Sequence, residues 1–199
     1  LAPGADLIVN LSASPYHRGK AAEREEIFRQ VAISEECHVV MVNTVGGQDE
    51  LVFDGGSALI APDGTVVDRA GQFSEDLVVC ESAPSPSPWM DDLDEVYTAL
   101  VTGLRDYVTK NGFSHVGLGL SGGVDSALVA ALAVDALGAG QVSCVVMPSP
   151  HSSGETQSDA RTMAEGLGTG LIEFDISAAM DAYGSRLGDD ATGIAAENL

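Results

Sequence analysis

The chain has 199 residues, of which 45% are hydrophobic, and 30 acidic against nine basic side chains give it a formal net charge of −21. This length suits one large domain or two small ones, and the apolar content supports a sizeable core and argues against disorder. So few basic residues exclude a nucleic-acid footprint and disfavour binding to an anionic membrane surface.

The first part of the chain is predicted to be a strand-rich α/β layer. ADLIVNLSASP predicts a strand near residues 6–11, and a helix follows over residues 20–36, where Ile27, Phe28 and Val31 have helical spacing and charges occupy the other face. HVVMVN predicts a short buried strand, and SALIAPDGTVVDRA predicts two strands around a hairpin turn. DLVVCE closes the segment.

A sharp change in composition follows. SAPSPSPWMDD, residues 82–92, alternates proline with serine and then becomes acidic. Such a segment stays extended and adds nothing to a core, so it is interpreted as a linker. We therefore predict one domain over residues 1–81 and a second over residues 93–199.

The second domain is predicted to be an α/β domain with a doubly wound parallel sheet. LDEVYTALVTGLRDYVTKNGF predicts a helix that ends at the Lys-Asn-Gly of residues 110–112. Its apolar stripe consists of Val96, Leu100, Leu104 and Val108. The next elements are strand 116–120, helix 126–137, strand 142–147, helix 156–167 and strand 171–176. Ligands of such sheets bind beyond the carboxyl ends of the strands.

A glycine-rich loop, LSGGVDS, lies at one of these strand ends. Gly122 and Gly123 let the backbone turn close to an anion, and the following helix points its free N–H groups at the same place. Asp125 would repel a bare phosphate but fits as a ligand of Mg²⁺ that bridges to the phosphates. The loop lacks the lysine of G-x-x-x-x-G-K-[ST], so γ-phosphate transfer of the usual P-loop kind is not implied.

The loop resembles the S-G-G-x-D-S pyrophosphate loop of the N-type ATP pyrophosphatases, which hold the β,γ-pyrophosphate of ATP while a substrate attacks the α-phosphate. GLRDYVTKNGF, LGLSGGVDSALVAALAVDALG, VVMPSPHSS and the closing AENL resemble bacterial NAD synthetase. NLSASPYHRGK and VGGQDELVFDGGSALIAPDG resemble the end of its attached nitrilase-like glutaminase. These segments cover nearly the whole chain in the right order, so it is identified as similar to the glutamine-dependent NAD synthetase family.

This resemblance implies a fold and a reaction. Residues 1–81 are expected to be the C-terminal part of a nitrilase-like αββα sandwich, and residues 93–199 the N-terminal part of an adenine-nucleotide α-hydrolase-like (ATP pyrophosphatase) domain. Glutamine would be hydrolysed in the first domain, and its ammonia would amidate deamido-NAD that ATP has adenylated. The implied ligands are ATP, Mg²⁺, deamido-NAD, and glutamine or ammonia. A homo-oligomer is also implied.

The resemblance also assigns roles to individual residues. Ser14 and Lys20 match positions that contact glutamine, although a lysine that opens a glutamate-rich helix also fits a surface position. Asn198 matches a motif that helps to bind deamido-NAD, and Ser152 and Ser153 are candidates for phosphate contact or simply solvated loop residues. The positions that match the ATP site are Gly119, Leu120, Ser121, Gly122, Gly123, Val124, Asp125, Ser126 and Met147, with Asp125 as the metal ligand.

The glutaminase residues Glu, Lys and Cys are expected upstream of Leu1, so we expect a part of a longer protein that is inactive alone. Cys37 is interpreted as a buried or half-buried thiol, and Cys80 and Cys144 as packing residues in strand-like runs. Three cysteines without a C-x-x-C pair fit a reduced, cytoplasmic protein. No apolar run has the length of a membrane span, so no membrane is expected.

Other functions stay open at this point. Another pyrophosphate-loop amidotransferase could adenylate a different acid, although GMP synthetase draws its ammonia from a different glutaminase fold. A carbon–nitrogen hydrolase with an ATP-sensing second domain would hydrolyse glutamine without releasing pyrophosphate. A non-catalytic nucleotide-binding module is disfavoured by the intact Asp125 and the serine pair of the loop.

Overall fold

The computed structural model of the chain describes residues 5–80, 83–148 and 153–187. The chain separates into two compact units, Leu1–Asn111 and Gly112–Leu199, and each is described by itself. Within the described ranges, every helix is too short or too polar to cross a membrane.

The first unit is an α/β layer. Its elements in chain order are β1 (Leu7–Ser12), α1 (Lys20–Glu35), β2 (His38–Asn43), β3 (Val45–Gln48), β4 (Leu51–Asp54), β5 (Ala58–Ile60), β6 (Val66–Arg69) and α2 (Asp92–Lys110). Four strands form a sheet in the order β1-β2-β5-β6, in which β1 and β2 are parallel and the other pairs antiparallel. Helix α1 is the crossover that two parallel strands need, and its Phe28 and Val31 pack on a core that includes Val39 and Ile60. The predictions that correspond to β1, β2, α1 and the β5–β6 hairpin are confirmed.

Three details of the first unit differ from the predictions. Ile27, placed by its spacing on the apolar face of α1, is 58% exposed. DLVVCE forms no strand over residues 76–80, and Leu77 and Val79 are exposed there. The packing role predicted for Cys80 is wrong because its side chain is exposed. An apolar run becomes a strand only where a neighbouring strand offers hydrogen-bonding partners.

The hairpin of β3 and β4 was missed by the sequence analysis, because the glycines and acidic residues of VGGQDELVFD are typical of a loop. Helix α2 packs on this hairpin. The Gly47 N–H donates to Asp106 Oδ2 at 2.7 Å, and Lys110 Nζ donates to the Gly47 carbonyl at 2.6 Å. A Cβ on Gly47 would lie 3.2 Å from the Cα of Gly103, so the backbones of strand and helix are nearly in contact.

Helix α2 begins and ends close to its predicted limits, with Gly112 at a φ of +78° just beyond it. Its apolar stripe defines the buried face only in part, since Val108 is buried but Leu100 is 51% exposed. The buried positions are Glu95, Ala99, Thr102 and Val108. The close approach to the hairpin is made at Gly103, where an added Cβ would lie 3.0 Å from Val52 Cγ2. The domain boundary at residues 82–92 stays a prediction, since packing places α2 in the first unit, which ends at Asn111.

The proline-rich segment lies beside β6. The Ser85 N–H donates to the Val67 carbonyl at 2.9 Å, and the Ser87 N–H donates to the Arg69 carbonyl at 3.2 Å. The Arg69 guanidinium lies 4.0 Å above the centre of the Trp89 ring. The described part of the segment is thus packed on the unit, although it adds no residue to the buried core.

The second unit is a parallel α/β sheet. Its elements in chain order are β7 (Val116–Gly119), α3 (Val124–Leu137), a 3₁₀ turn (Ala139–Gln141), β8 (Val142–Val146), α4 (Gly154–Leu167), β9 (Gly170–Glu173) and α5 (Ser177–Leu187). The strands pair in parallel in the order β7-β8-β9. Leu120, Cys144 and Val146 pack against buried alanines of α3 and α4. The predicted parallel α/β class is confirmed, and over residues 112–148 and 153–187 the sheet grows in one direction.

Candidate functional site

The glycine-rich loop lies between β7 and α3, at the carboxyl end of the parallel sheet. The Leu120 N–H donates to the Val145 carbonyl at 2.8 Å, so the chain stays paired with β8 up to the start of the loop. Gly122 then turns with a φ of +83°, and α3 begins at Val124. This is the strand, turn and helix that LSGGVDS predicts.

Two serines hold the loop in shape. The Ser121 N–H donates to Ser126 Oγ at 3.2 Å, and the two hydroxyl oxygens lie 3.1 Å apart. Ser126 Oγ donates to the Gly123 carbonyl at 3.0 Å, and the Gly123 N–H donates to Ser121 Oγ at 3.3 Å. The loop is therefore ordered by its own hydrogen bonds, which reduces the entropy lost when it binds a ligand.

Gly122 packs against the first turn of α4. A Cβ at this position would lie 2.1 Å from the Thr156 carbonyl oxygen, closer than any real Cβ contact. Because its φ is also positive, glycine is the residue that fits. The close approach places the start of α4 next to the loop that precedes α3.

The two helices differ at their first turns. The N-cap of α3 is Gly123, which has no side chain to accept from the first N–H groups. The N-cap of α4 is Ser153, whose Oγ accepts from the Thr156 N–H at 3.1 Å. Ser153 is thus an exposed helix cap. The free N–H groups and partial positive charge at the start of α3 suit an anion.

A cavity of about 240 Å³ opens beside the loop at the ends of β7 and β8. It is lined by Gly119, Leu120, Ser121, Val146, Met147, Thr156 and Gln157. The structure therefore brings Met147 next to the loop residues, with which it forms the predicted ATP site. Thr156 and Gln157 were missed, because no motif marks them and only the approach of α4 places them here.

Asp125 lies in the first turn of α3 with an exposed side chain. Among the described residues there is no group of three or more His, Cys, Asp or Glu side chains that could hold a metal ion. A single carboxylate beside a phosphate cradle nevertheless suits Mg²⁺, which proteins usually hold by one or two carboxylates together with substrate phosphates and water. Two other candidates, Ser152 and Asn198, lie outside the described residues.

Ser14 and Lys20 lie on the connection between β1 and α1 in the first unit. Both are partly buried, and Lys20 is the first residue of α1. The main chain of Ser14 is bound by the side chain of Asn43, whose Oδ1 accepts from the Ser14 N–H at 2.9 Å. Asn43 was not singled out from the sequence.

A buried ion pair behind Ser14 was also missed. Arg24 and Asp54 are 4% and 0% exposed and share two hydrogen bonds of 3.0 and 2.8 Å. Because Arg24 stands among charged residues, the helix pattern placed it at the surface. The available signal is its spacing, three residues after Ala21 and four before Phe28, on the face that packs against the sheet.

Tyr16 joins the same connection to α2. Its hydroxyl donates to Glu95 Oε2 at 3.3 Å, and its ring meets Phe73 edge-on with the centroids 5.4 Å apart. Burial, and then the carboxylate of Glu95, raise the pKa of Tyr16 to about 12. Tyr16 therefore stays neutral and keeps its hydroxyl hydrogen at physiological pH.

Two protein families match the chain one after the other. Residues 2–85 match the carbon–nitrogen hydrolase family, and residues 96–199 match the NAD synthase family. The change from one match to the other falls at residues 86–95, within and just after the proline-rich segment.

Individual relatives match across both parts. The chain is 41% identical to the glutamine-dependent NAD(+) synthetase of Aquifex aeolicus, over 90% of this chain and 38% of that protein. The glutamine-dependent NAD+ synthetase from Acinetobacter baumannii, solved in complex with ADP, has a TM-score of 0.89 and 36% identity over 98% of this chain and 39% of its own. The NH3-dependent NAD synthetase from Campylobacter jejuni has a TM-score of 0.50 and 28% identity over 55% of this chain and 47% of its own. The chain thus spans 38% of the length of the Aquifex relative.

Proposed function

Because the chain belongs to the NAD synthase family, we propose that it is part of an enzyme that converts deamido-NAD to NAD with ATP and with ammonia released from glutamine. The main support is the self-ordered loop at the uncapped start of α3, next to the cavity at the ends of β7 and β8. The carbon–nitrogen hydrolase match is followed by the NAD synthase match, and this order supports the coupling of glutamine hydrolysis to this site.

The reaction needs ATP because a carboxylate is a poor electrophile. An oxygen of the nicotinate carboxylate attacks the α-phosphorus, the bond to the β,γ-pyrophosphate breaks, and pyrophosphate leaves. The nitrogen of ammonia then attacks the acyl carbon, the bond to AMP breaks, and a proton is lost from nitrogen. A site that excludes water protects the adenylate from hydrolysis.

In this proposal the loop holds the leaving pyrophosphate. The N–H groups at the start of α3 point toward it, and the hydroxyl of Ser121 adds a donor by exchanging its hydrogen bond to Ser126, whose own hydroxyl donates to the Gly123 carbonyl. The nucleotide is proposed to lie in the cavity beside the loop, which is lined in part by Gly119, Leu120 and Met147. A leaving group needs a firm cradle rather than a lysine that follows a migrating phosphate, which accounts for the sequence of the loop.

Asp125 is the proposed ligand of Mg²⁺. A metal ion would neutralise the negative charge that develops on the departing pyrophosphate. The chain itself offers little positive charge for this, because it has only nine basic residues. The exposed carboxylate in the first turn of α3 would lie beside the phosphates held by the loop. Ser14 and Lys20 are proposed to contact glutamine, and Asn198 to contact deamido-NAD.

The first experiment incubates the full-length protein with ATP, Mg²⁺ and glutamine, with and without deamido-NAD. AMP, pyrophosphate and NAD are then quantified together. We expect equal amounts of the three products, and only when deamido-NAD is present. AMP that forms with another carboxylic acid but not with deamido-NAD would favour a different adenylating amidotransferase. Glutamate release without pyrophosphate would favour a hydrolase with an ATP-sensing domain.

The chain alone is proposed to be inactive, because it corresponds to less than half of its glutamine-dependent relatives. Homo-oligomerisation and a cytoplasmic location stay predictions. Sedimentation of the full-length protein measures the first, and fractionation of cells measures the second.

A further inference from the structure

Asn43, at the end of β2, joins the candidate glutamine connection to the interior of the first unit. Its side chain is 5% exposed. Oδ1 accepts from the Ser14 N–H at 2.9 Å, and Nδ2 lies 3.4 Å from the Ser14 carbonyl oxygen. The amide therefore holds both polar groups of one residue, as a neighbouring strand would.

The regular strand pairing stops just before this point. β1 ends at Ser12, whose carbonyl accepts from the Thr44 N–H at 3.1 Å. Ser14 lies two residues further on, and the Tyr16 N–H next donates to the Val52 carbonyl at 2.7 Å. Asn43 thus supplies the side-chain support for the main chain between these two backbone contacts.

The amide of Asn43 is itself held from behind. Nδ2 lies 3.2 Å from the Gly55 carbonyl oxygen and 3.4 Å from Asp54 Oδ1. Arg24 donates to both Asp54 oxygens and to the Gly55 carbonyl, at 2.8 to 3.0 Å. Because all of these groups are buried, a rotation of the Asn43 amide would leave donors or acceptors unpaired.

We infer that Asn43 is a positioning residue for glutamine binding, acting through the main chain of Ser14 and backed by the Arg24–Asp54 pair. This inference rests on the proposed contact of the Ser14 region with glutamine. Because the main chain of Ser14 is already fixed, this segment loses little conformational entropy when glutamine binds. Asn43 needs no contact with the substrate to do this.

The test is Asn43→Ala in the full-length enzyme, with two separate assays. Glutamate release gives kcat and KM for glutamine, and NAD formation with ammonium chloride gives the ammonia-driven rate. We expect KM for glutamine to rise about tenfold, since each lost hydrogen bond contributes about that factor or less. The value of kcat at saturating glutamine and the ammonia-driven rate should stay within about twofold.

The matched control is Glu25→Gln. Glu25 lies on α1 and is largely buried, and its Oε2 accepts from Arg69 Nε at 2.7 Å, so its described hydrogen bonds do not involve Ser14. We expect an unchanged KM for glutamine. If Asn43→Ala does not fold, Asn43→Ser is measured in the same way, because one hydroxyl cannot replace both amide groups.

The two ways to fail are distinguishable. A fall in kcat at constant KM indicates loss of folded enzyme and would overturn the positioning role, as would a KM that matches the Glu25→Gln control. Ser14→Ala tests the proposed function separately, with an expected rise in KM for glutamine and unchanged ammonia-driven synthesis. A normal KM in Ser14→Ala together with a raised KM in Asn43→Ala would contradict the proposed contact between the Ser14 side chain and glutamine. It would still support the positioning of the Ser14 main chain by Asn43.

Discussion

In the first unit six polar or charged side chains are buried, whereas the buried side chains described in the second unit are all apolar or small. The six are Arg24, Asn43, Asp54, Arg69, Glu95 and Thr102. The candidate ATP loop is instead held by exposed serines, by its own backbone and by Gly122 against α4.

This difference indicates which changes each unit tolerates. A buried charge that loses its partner destabilises a fold strongly, because it is removed from water without compensation. A glycine in close backbone contact is sensitive to any added Cβ, whatever its charge. The stability of the first unit should therefore respond most to changes of charge, and the stability of the second unit to changes of shape around its loop.

The largest expected effect is on AMP formation, and it comes from Asp125, an exposed charge of the second unit. Asp125→Ala should lower AMP formation by about a thousandfold, since a metal ion contributes several kcal/mol to such a transition state. Glutamate release should remain measurable. Asp159→Ala, an exposed aspartate on α4, is the control and should change neither activity. Normal AMP formation in Asp125→Ala would remove its role as metal ligand.

Gly122→Ala should be almost as severe. Because the new Cβ would meet the Thr156 carbonyl, the loop or α4 must move, and we expect AMP formation to fall by about a hundredfold or more. Gly168→Ala is matched in its left-handed backbone, with a φ of +69°, but its Cβ would meet only ordinary contacts. It should lower stability by about 1–2 kcal/mol and leave the KM for ATP unchanged. Equal effects of the two variants would contradict the contact argument.

In the first unit, Asp54→Asn leaves the buried Arg24 guanidinium without a counter-charge. We expect the free energy of local unfolding to fall by about 3–5 kcal/mol. Hydrogen exchange of peptides from β2 and β5 measures this loss in the full-length protein. Glu26→Gln, in the half-exposed pair with Arg29, should cost less than about 1 kcal/mol. Similar hydrogen exchange in both variants would show that the buried Arg24–Asp54 pair contributes no more to stability than the half-exposed Arg29–Glu26 pair.

The smallest effect concerns Tyr16 and pH. Its folded pKa of about 12 lies above the ordinary value of 10.0, so the unfolded state ionises first as the pH rises. Its contribution to stability is complete below about pH 10 and is lost progressively toward about pH 12. Tyr16→Phe should flatten the fall of the unfolding midpoint over this range, whereas Tyr107→Phe, at a half-exposed position, should not. An unchanged slope in Tyr16→Phe would contradict the role of Tyr16.

The predicted limits of the elements in the second unit agree with the structure to within about two residues, except that β9 ends at Glu173, three residues before its predicted end, and α5 was not predicted. The agreement reflects local signals. A strand, two glycines and an alanine-rich helix follow each other in VGLGLSGGVDSALVAAL, and each depends on neighbours in sequence. The first unit was harder to predict. Gly46 and Gly47 favour a loop in isolation but form β3, because α2 packs on them.

Sequence by itself determined the parallel sheet of the second unit, the position of the candidate ATP loop and most of the elements, since periodicity and turn residues act over a few positions. Tertiary structure alone decided which polar groups are buried and which residues border the sites. Arg24 meets Asp54 across 30 positions, and Asn43 meets Ser14 across 29. Thr156 reaches Gly122 only because the crossover through α3 and β8 returns α4 to the loop. Such contacts depend on how the elements pack, and no local pattern in the chain encodes them.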